Sequence, residues 1–393
     1  MTNLTVNPGR IGPIVGRHPW VFSRALASIP EGLKSGEPVR LIDRNGDFLA
    51  NGYFNSYSQI AVRVWSYDDE EKINADFFRR RIKGALKWRE DYIDQEKTNA
   101  YRLINGENDS LPGLIVDRYG PYLAIQFHTA GIERWQTEII DALVRVLAPL
   151  GIYERSDLKV RAIEGGEPRA GIVYGTVPDL IEIKENGFRF LVDIKAGQKT
   201  GFFLDQRDKR AALAKYAKGK SVLNCFSYTG GFSVYALAAG AKRVVNVDLS
   251  EGALTIARQN IELNGFKAGQ AEFVRADAKN YLSDLKPGTF PLIILDPPAF
   301  IKNRHKIKEG MAGYKKINIL AMEKLALPGV LLTCSCSTHL KREDFRLILS
   351  EAGARAKRTL RIIESYTHGL DHPELVPFTE GEYLKTFFLA VDK

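Results

Sequence analysis

From residue 221 onward the chain alternates strand-like and helix-like segments with a regularity that leaves few folds open. Residues 221–225, 243–248, 272–275, 291–295 and 329–333 are short apolar runs, the pattern of strands buried on both faces. Between them, 232–239, 251–264, 314–325 and 341–351 carry apolar residues at helical spacing. The alternation predicts a parallel sheet covered by helices on both faces, completed by strands at 361–365 and 384–391. In an open α/β sheet, ligands bind beyond the carboxyl ends of the strands. The residues that follow each strand are therefore where chemistry is expected.

The first strand runs into Asn224-Cys225-Phe226-Ser227-Tyr228-Thr229-Gly230-Gly231, a small-residue turn ahead of a helix. A helix N-terminus offers free N–H groups, and the glycines let a ligand approach the backbone. The second strand closes on Asp248, about where a carboxylate meets ribose hydroxyls in dinucleotide folds. The G-x-G-x-x-G spacing that cradles a pyrophosphate is absent, so a nucleoside without phosphates fits better than NAD. Asp277 and Ala278 follow the third strand, where the acid either bonds an adenine amine or caps the next helix. The fourth strand leads to Asp296-Pro297-Pro298-Ala299-Phe300. Two prolines stiffen that turn and remove N–H donors, so it either presents a carboxylate and an aromatic ring to a planar base or simply starts a loop. The fifth ends in Thr333-Cys334-Ser335-Cys336-Ser337, which puts candidate thiol nucleophiles at the crevice. Strand alternation places Cys334 and Cys336 on one side, Cys334 deeper and Cys336 nearer the mouth. Cys225, at the end of a buried strand, reads as packing.

With 393 residues the chain predicts two or three domains. Residues 1–70 read as small and β-rich, with strands at 38–43, 48–54 and 60–65 and a tight hairpin at Asn45-Gly46. Ahead of them Arg17, His18 and Trp20 belong to a run that is either a core Trp beside a turn or part of an RNA-facing surface. Residues 71–190 read as α+β, with a basic helix over 76–92, an amphipathic helix over 132–147 and hairpins at 119–121 and 186–187. A net charge of +9 suits a polyanionic partner. Lys302, Arg304, His305, Lys306, Lys308, Lys315 and Lys316 follow Phe300 as a basic loop suited to phosphate contacts.

Hydrophobic content of 45% and charged content of 26% are ordinary for a soluble protein. No apolar run approaches the roughly 20 residues of a membrane helix, and 1–10 is too polar for a secretory leader. Three cysteines make no disulfide framework, so a cytoplasmic protein is expected. Gly197-Gln198-Lys199-Thr200 lacks the glycine spacing of a phosphate loop. His368 and His372 lie across a glycine and before Pro373 rather than on a helix, so no metal site is expected.

Together, 224–231, Asp248, Asp296-Pro297-Pro298 and the Thr-Cys-Ser-Cys-Ser run resemble the motifs of class I S-adenosylmethionine-dependent methyltransferases. The run Gly197-Gln198-Lys199-Thr200-Gly201-Phe202-Phe203-Leu204-Asp205-Gln206-Arg207, with a PUA-like His18-Pro19-Trp20-Val21-Phe22, is more specific. It resembles the RlmI-like family of 23S rRNA cytosine-5 methyltransferases. The similarity extends over nearly the whole chain, including 102–113 and Glu380-Gly381-Glu382-Tyr383-Leu384-Lys385.

The resemblance implies an α/β protein in three parts: a β-rich PUA domain (1–70), a central α+β domain (71–190) and a Rossmann-like catalytic domain (191–393). It implies S-adenosyl-L-methionine held by Gln206, Asn224, Phe226, Ser227, Tyr228, Thr229, Gly230, Asp248, Asp277, Ala278 and Asp296. It places the nucleophile at Cys336, assisted by Asp296, and leaves Cys334 to packing. The base and its RNA would be met by Phe300, Pro297, Arg207, Lys199, Arg17, His18, Trp20, Lys302 and Arg304. The implied partner is ribosomal RNA of the 23S type, with no membrane and room for a homodimer. Two readings compete. One is a base-nitrogen or uridine-C5 methyltransferase, since Asp-Pro-Pro turns also serve exocyclic amines without a cysteine; the other is a non-catalytic RNA-binding factor that keeps the fold.

Overall fold

The computed structural model describes residues 1–393, apart from the side chains of Lys159, Val160 and Ala268. The chain forms two compact units. One comprises Met1–Lys184, Val192–Leu204 and Leu370–Gly381, and the other Glu185–Leu191, Asp205–Gly369 and Glu382–Lys393. The first unit thus takes in two stretches that lie within the 191–393 segment expected for catalysis.

The first unit holds two five-stranded sheets. One runs in the order Thr2–Thr5, Pro38–Ile42, Phe48–Phe54, Ile60–Ser66, Trp20–Phe22. The other runs Arg169–Gly175, Gly151–Ser156, Tyr122–Phe127, Leu114–Tyr119, Ala100–Asn105. The helix Ala75–Tyr92 starts on Asn74, whose side chain accepts the Phe77 N–H, an ordinary N-cap. Its arginines are largely neutralised locally: Arg79 by Asp76, Arg80 and Arg81 by Glu71. The single helix expected over 132–147 is two, Ala130–Glu133 and Gln136–Leu147. Trp135 leaves helical geometry between them, and its ring packs on Trp65 and Phe78.

The second unit is built on a seven-stranded sheet. Its strands are β1 (Ser221–Cys225), β2 (Arg243–Asp248), β3 (Ala271–Arg275), β4 (Phe290–Leu295), β5 (Leu325–Ser335), β6 (Thr359–Tyr366) and β7 (Lys385–Asp392). The helices that position the site are α1 (Arg207–Ala217), α2 (Gly231–Ala238), α3 (Glu251–Leu263), α4 (Ala278–Asp284), α5 (Ile307–Lys324) and α6 (Arg342–Ala356). The strand order is β3-β2-β1-β4-β5-β7-β6, parallel except for β7, which runs antiparallel to both neighbours. The expected Rossmann-like arrangement is therefore present. The order reverses between β1 and β4, which is the switch point where such sheets open a crevice.

Local chemistry explains the breaks. Ser250 caps α3 by accepting the Ala253 N–H, and Asp277 caps α4 by accepting that of Asn280. Register then aligns the strand ends: Cys225 lies opposite Leu295, and Leu295 opposite Thr333. The turn after β1, Asp296 after β4 and the thiols ending β5 therefore emerge at one edge. The basic loop expected after Phe300 is mostly helix. Asn303 accepts the His305 N–H, a 3-10 turn follows, and α5 begins at Ile307 with Lys308, Lys315 and Lys316 on it. Lys306 pairs with Glu309 and Lys315 with Glu351, while Lys302 and Arg304 remain exposed.

Candidate active site

The turn after β1 has an unusual backbone. Phe226, Tyr228 and Gly230 all adopt positive φ, at 60°, 46° and 77°. Two non-glycine residues in the left-handed region store strain that the surroundings must hold. Asp248 does part of this, its carboxylate accepting N–H groups from Tyr228 at 2.8 Å and Ser250 at 2.9 Å. Asn260 on α3 donates to the Thr229 carbonyl at 2.9 Å. The glycines serve packing as well as access: a Cβ on Gly230 would stand 3.1 Å from that of Ala257, and one on Gly231 3.0 Å from Arg210 Cδ.

Inside this turn several polar atoms have no hydrogen-bond partner among the described residues. Asn224 donates to Ser233 at 2.9 Å, yet its Oδ1 is unused, as are Ser227 Oγ and Thr229 Oγ1. All three residues are buried. Buried polar atoms are nearly always satisfied, so a cluster of exceptions marks a place for a polar ligand. Hydroxyl and amide groups with one nearby carboxylate suit a nucleoside bearing ribose hydroxyls and fit the S-adenosyl group. Of the two roles open to Asp277, the helix cap is the one its geometry displays.

The edge formed by β4 and β5 gathers the reactive groups. Asp296 accepts from Gln206 Nε2 at 2.9 Å, and the other Gln206 amide atom, Oε1, is buried without a partner. The Cys336 thiol points to the Pro297 carbonyl at 3.8 Å. Two further contacts fasten the two turns together. Ile301 donates its N–H to Ser337 Oγ at 3.2 Å, and Ser337 Oγ meets the Tyr314 hydroxyl at 2.9 Å. Phe300 is partly buried, its ring tilted on that of Tyr314 at 4.7 Å.

The three cysteines differ sharply. Cys225 and Cys334 are fully buried, and Cys336 alone is partly open to solvent. Burial pushes the Cys225 thiol up, and burial with the Asp296 carboxylate pushes Cys334 well above the ordinary thiol range. Cys334 also accepts a hydrogen bond from Thr386 at 3.3 Å. Neither is poised as a thiolate.

The remaining expected residues divide. Arg207 is buried at the start of α1. Lys199, Arg17, His18 and Trp20 belong to the first unit. There Lys199 Nζ lies over the Phe203 ring at 4.6 Å, and exposed Arg17 covers the Tyr67 ring at 4.7 Å. Trp20 donates its indole N–H to Glu107 at 2.8 Å and meets Phe378 edge-on at 4.7 Å. His18 Nε2 sits 3.3 Å from Glu380. His368 and His372 have separate surroundings: His368 Nε2 accepts the N–H groups of Tyr383 and Leu384, and His372 lies against Asp371.

Sequence reasoning passed over Asn260, Lys209 and Lys385. Each is a polar residue in a buried position of an otherwise apolar pattern, and that misfit was the available signal.

The fold and the crevice define a class I S-adenosylmethionine-dependent methyltransferase. Comparison with known proteins agrees. The model of the family described as S-adenosylmethionine-dependent methyltransferase matches residues 169–387, and that of the PUA-like domain matches 4–67. Ribosomal RNA large subunit methyltransferase I of Escherichia coli O139:H28 is 43% identical over 391 residues, 99% of each chain. The protein of the same name from Shigella boydii serotype 4 is equally similar over the same extent. Among solved structures, SMU.776 complexed with SAH superposes with a TM-score of 0.85 at 25% identity, over 99% of this chain and 100% of that one. The chain belongs to the ribosomal RNA large subunit methyltransferase I family, and its methyl donor is S-adenosylmethionine. No helix among the described residues is long and apolar enough to cross a membrane.

Proposed function

We propose that the protein methylates carbon 5 of a cytosine in the RNA of the large ribosomal subunit, through a covalent bond between Cys336 and carbon 6. The observation that carries this reading is the single accessible thiol, Cys336, at a strand end beside the Asp296-Pro297 turn. The three-part division at 1–70, 71–190 and 191–393 goes with it, the first part supplying RNA contacts. A cleft of about 640 Å³ in that part, with Arg10, His18, Trp20 and Arg24 in its wall, supports such contacts.

Bound S-adenosylmethionine supplies an electrophilic methyl group. Carbon 5 of cytosine is too weak a nucleophile to take it unaided. The Cys336 thiolate adds to C6, and the C5=C6 electron pair moves toward C5, which makes C5 nucleophilic. Asp296 bonds the N3/N4 edge and, carrying a proton, passes it to N3, which neutralises the negative charge that thiolate addition puts on the ring. After methylation, loss of the C5 proton to a base returns the pair to C5=C6 and the S–C6 bond breaks. Cysteine suits both ends of this sequence, as an accessible thiolate and as a leaving group. The target base must leave any stack to reach the crevice, and Phe300 and Pro297 are the surfaces offered to it. Lys302 and Arg304 would meet phosphates.

Two predictions belong to this reading. Asp248→Ala removes a charged acceptor from the ribose and the Tyr228 anchor of the turn. Calorimetry should show S-adenosylmethionine affinity falling about 10- to 100-fold; an unchanged affinity refutes the role. Cys334→Ser keeps a small polar group beside Thr386. Initial methylation rates should stay within about fivefold of wild type, and an inactive enzyme would mean that the two thiols share the work. The function itself is tested by nucleoside mass spectrometry of ribosomal RNA from a strain lacking the gene. A missing 5-methylcytidine, restored by the gene, supports it; a missing N-methylated nucleoside favours base-nitrogen chemistry.

A further inference from the structure

β7 is an apolar strand with one residue out of character. Lys385, Phe387, Leu389 and Val391 alternate onto one face, and Lys385 is 1% exposed among them. Its ammonium donates to the Ser337 carbonyl at 2.8 Å and the Tyr383 carbonyl at 2.9 Å. Among the described residues no carboxylate forms an ion pair with it. Burying an ammonium without a counter-ion is costly, and such groups gather where charge appears in function. The first of these carbonyls adjoins the thiol: Ser337 directly follows Cys336, and Lys385 itself lies opposite Ser335 in the β5–β7 register.

We propose that Lys385 is the positioning residue that keeps Cys336 in its thiolate form, setting a positive charge beside it and fixing the turn on which the thiol stands. The proposal rests on Cys336 being the nucleophile. Cys336 shares the crevice with the Asp296 carboxylate, a like charge that opposes thiolate formation. Among the described residues Tyr314 on α5 also faces Cys336, Lys209 on α1 faces Cys334, and Glu382 before β7 faces Lys385. Tyr314 is a neutral phenol, raised further by burial. Lys209 donates to the Asp205 carbonyl and faces the buried Cys334. The Lys385 ammonium lies 2.8 Å from the carbonyl of the residue next to Cys336, and the two side chains interact electrostatically. Burial pushes its ammonium down to about 8, against the pull of Glu382 and Cys336, so it is still largely protonated at neutral pH.

The test is the rate of Cys336 alkylation by iodoacetamide against pH in the full-length protein, followed on the Cys336 peptide by mass spectrometry. Lys385→Met should raise the midpoint by about one unit, slowing alkylation about tenfold on the acid side. Lys385→Arg, which keeps the charge, should bring the midpoint back. A Lys385→Met protein that melts like wild type with an unmoved midpoint overturns the proposal. Should that variant not fold, Lys385→Gln retains an N–H donor for the carbonyls without the charge and carries the same two outcomes. Alkylation reads ionisation and not methyl transfer, so an unmoved midpoint leaves the role of Cys336 intact. Full methylation by Cys336→Ala would instead strike the nucleophile reading on which this one stands.

Discussion

Replacing Cys336 with alanine is expected to lower methyl transfer by on the order of 10³-fold or more, leaving the fold intact. Without the thiolate, C5 of the base has no route to the electron density it needs, and no other group in the crevice can take its place. Cys334 is two residues away on the same strand but is fully buried, with its thiol held well above the range in which it ionises. Cys225 is buried at the end of β1. The substitution removes little structure. The thiol is partly open, and its contact with the Pro297 carbonyl is a long one at 3.8 Å. The melting temperature should therefore stay within a few degrees, as for a change of less than about 1 kcal/mol. S-adenosylmethionine binding, which belongs to the turn after β1, should be unaffected. Retention of methylation by a well-folded Cys336→Ala protein would remove Cys336 from the chemistry.

Asp296→Asn is the second large effect, expected at about 10²- to 10⁴-fold in turnover. The change keeps shape and removes charge. Gln206 Nε2 donates to Asp296 Oδ1 at 2.9 Å, and that contact orients the residue. An asparagine that preserves it turns its amide nitrogen toward the base, where the exocyclic amine of cytosine also offers donors. An amide cannot pass a proton to N3, so the negative charge that thiolate addition puts on the ring goes unneutralised. Single-turnover kinetics on saturating RNA should show the loss in the chemical step. Activity within tenfold of wild type would show that the carboxylate is dispensable.

The catalytic sheet was readable from the chain because its strands are continuous apolar runs. Residues 221–225 and 243–248 carry the same bounds in sequence and structure. The crevice residues followed from one rule, that strand ends face the ligand. Elements that bury charge were not readable in this way. α1 is a full helix, yet Arg207, Lys209 and Arg210 lie on its buried side, where a pattern search expects leucine. Arg210 is held by a bidentate pair with Glu185, a residue far away in the chain. Lys385 escaped for the same reason. Phe226 and Tyr228 give no sign of positive φ, because the conformation is imposed by Asp248 and Asn260 and not chosen by the residues themselves. α5 begins earlier than its apolar spacing suggests, since Gly310 tucks against Ile301, where a Cβ would stand 2.3 Å from a side-chain carbon.

The central claim is a covalent bond between one named sulfur and one named carbon, and it can be weighed. RNA carrying 5-azacytidine at the target position, incubated with the protein and S-adenosylmethionine, should yield a stable adduct. Digestion and tandem mass spectrometry should locate it on the peptide containing Cys336, with no adduct formed by Cys336→Ala. An adduct on Cys334, or no adduct from a protein that methylates the unmodified RNA at full rate, would contradict the account.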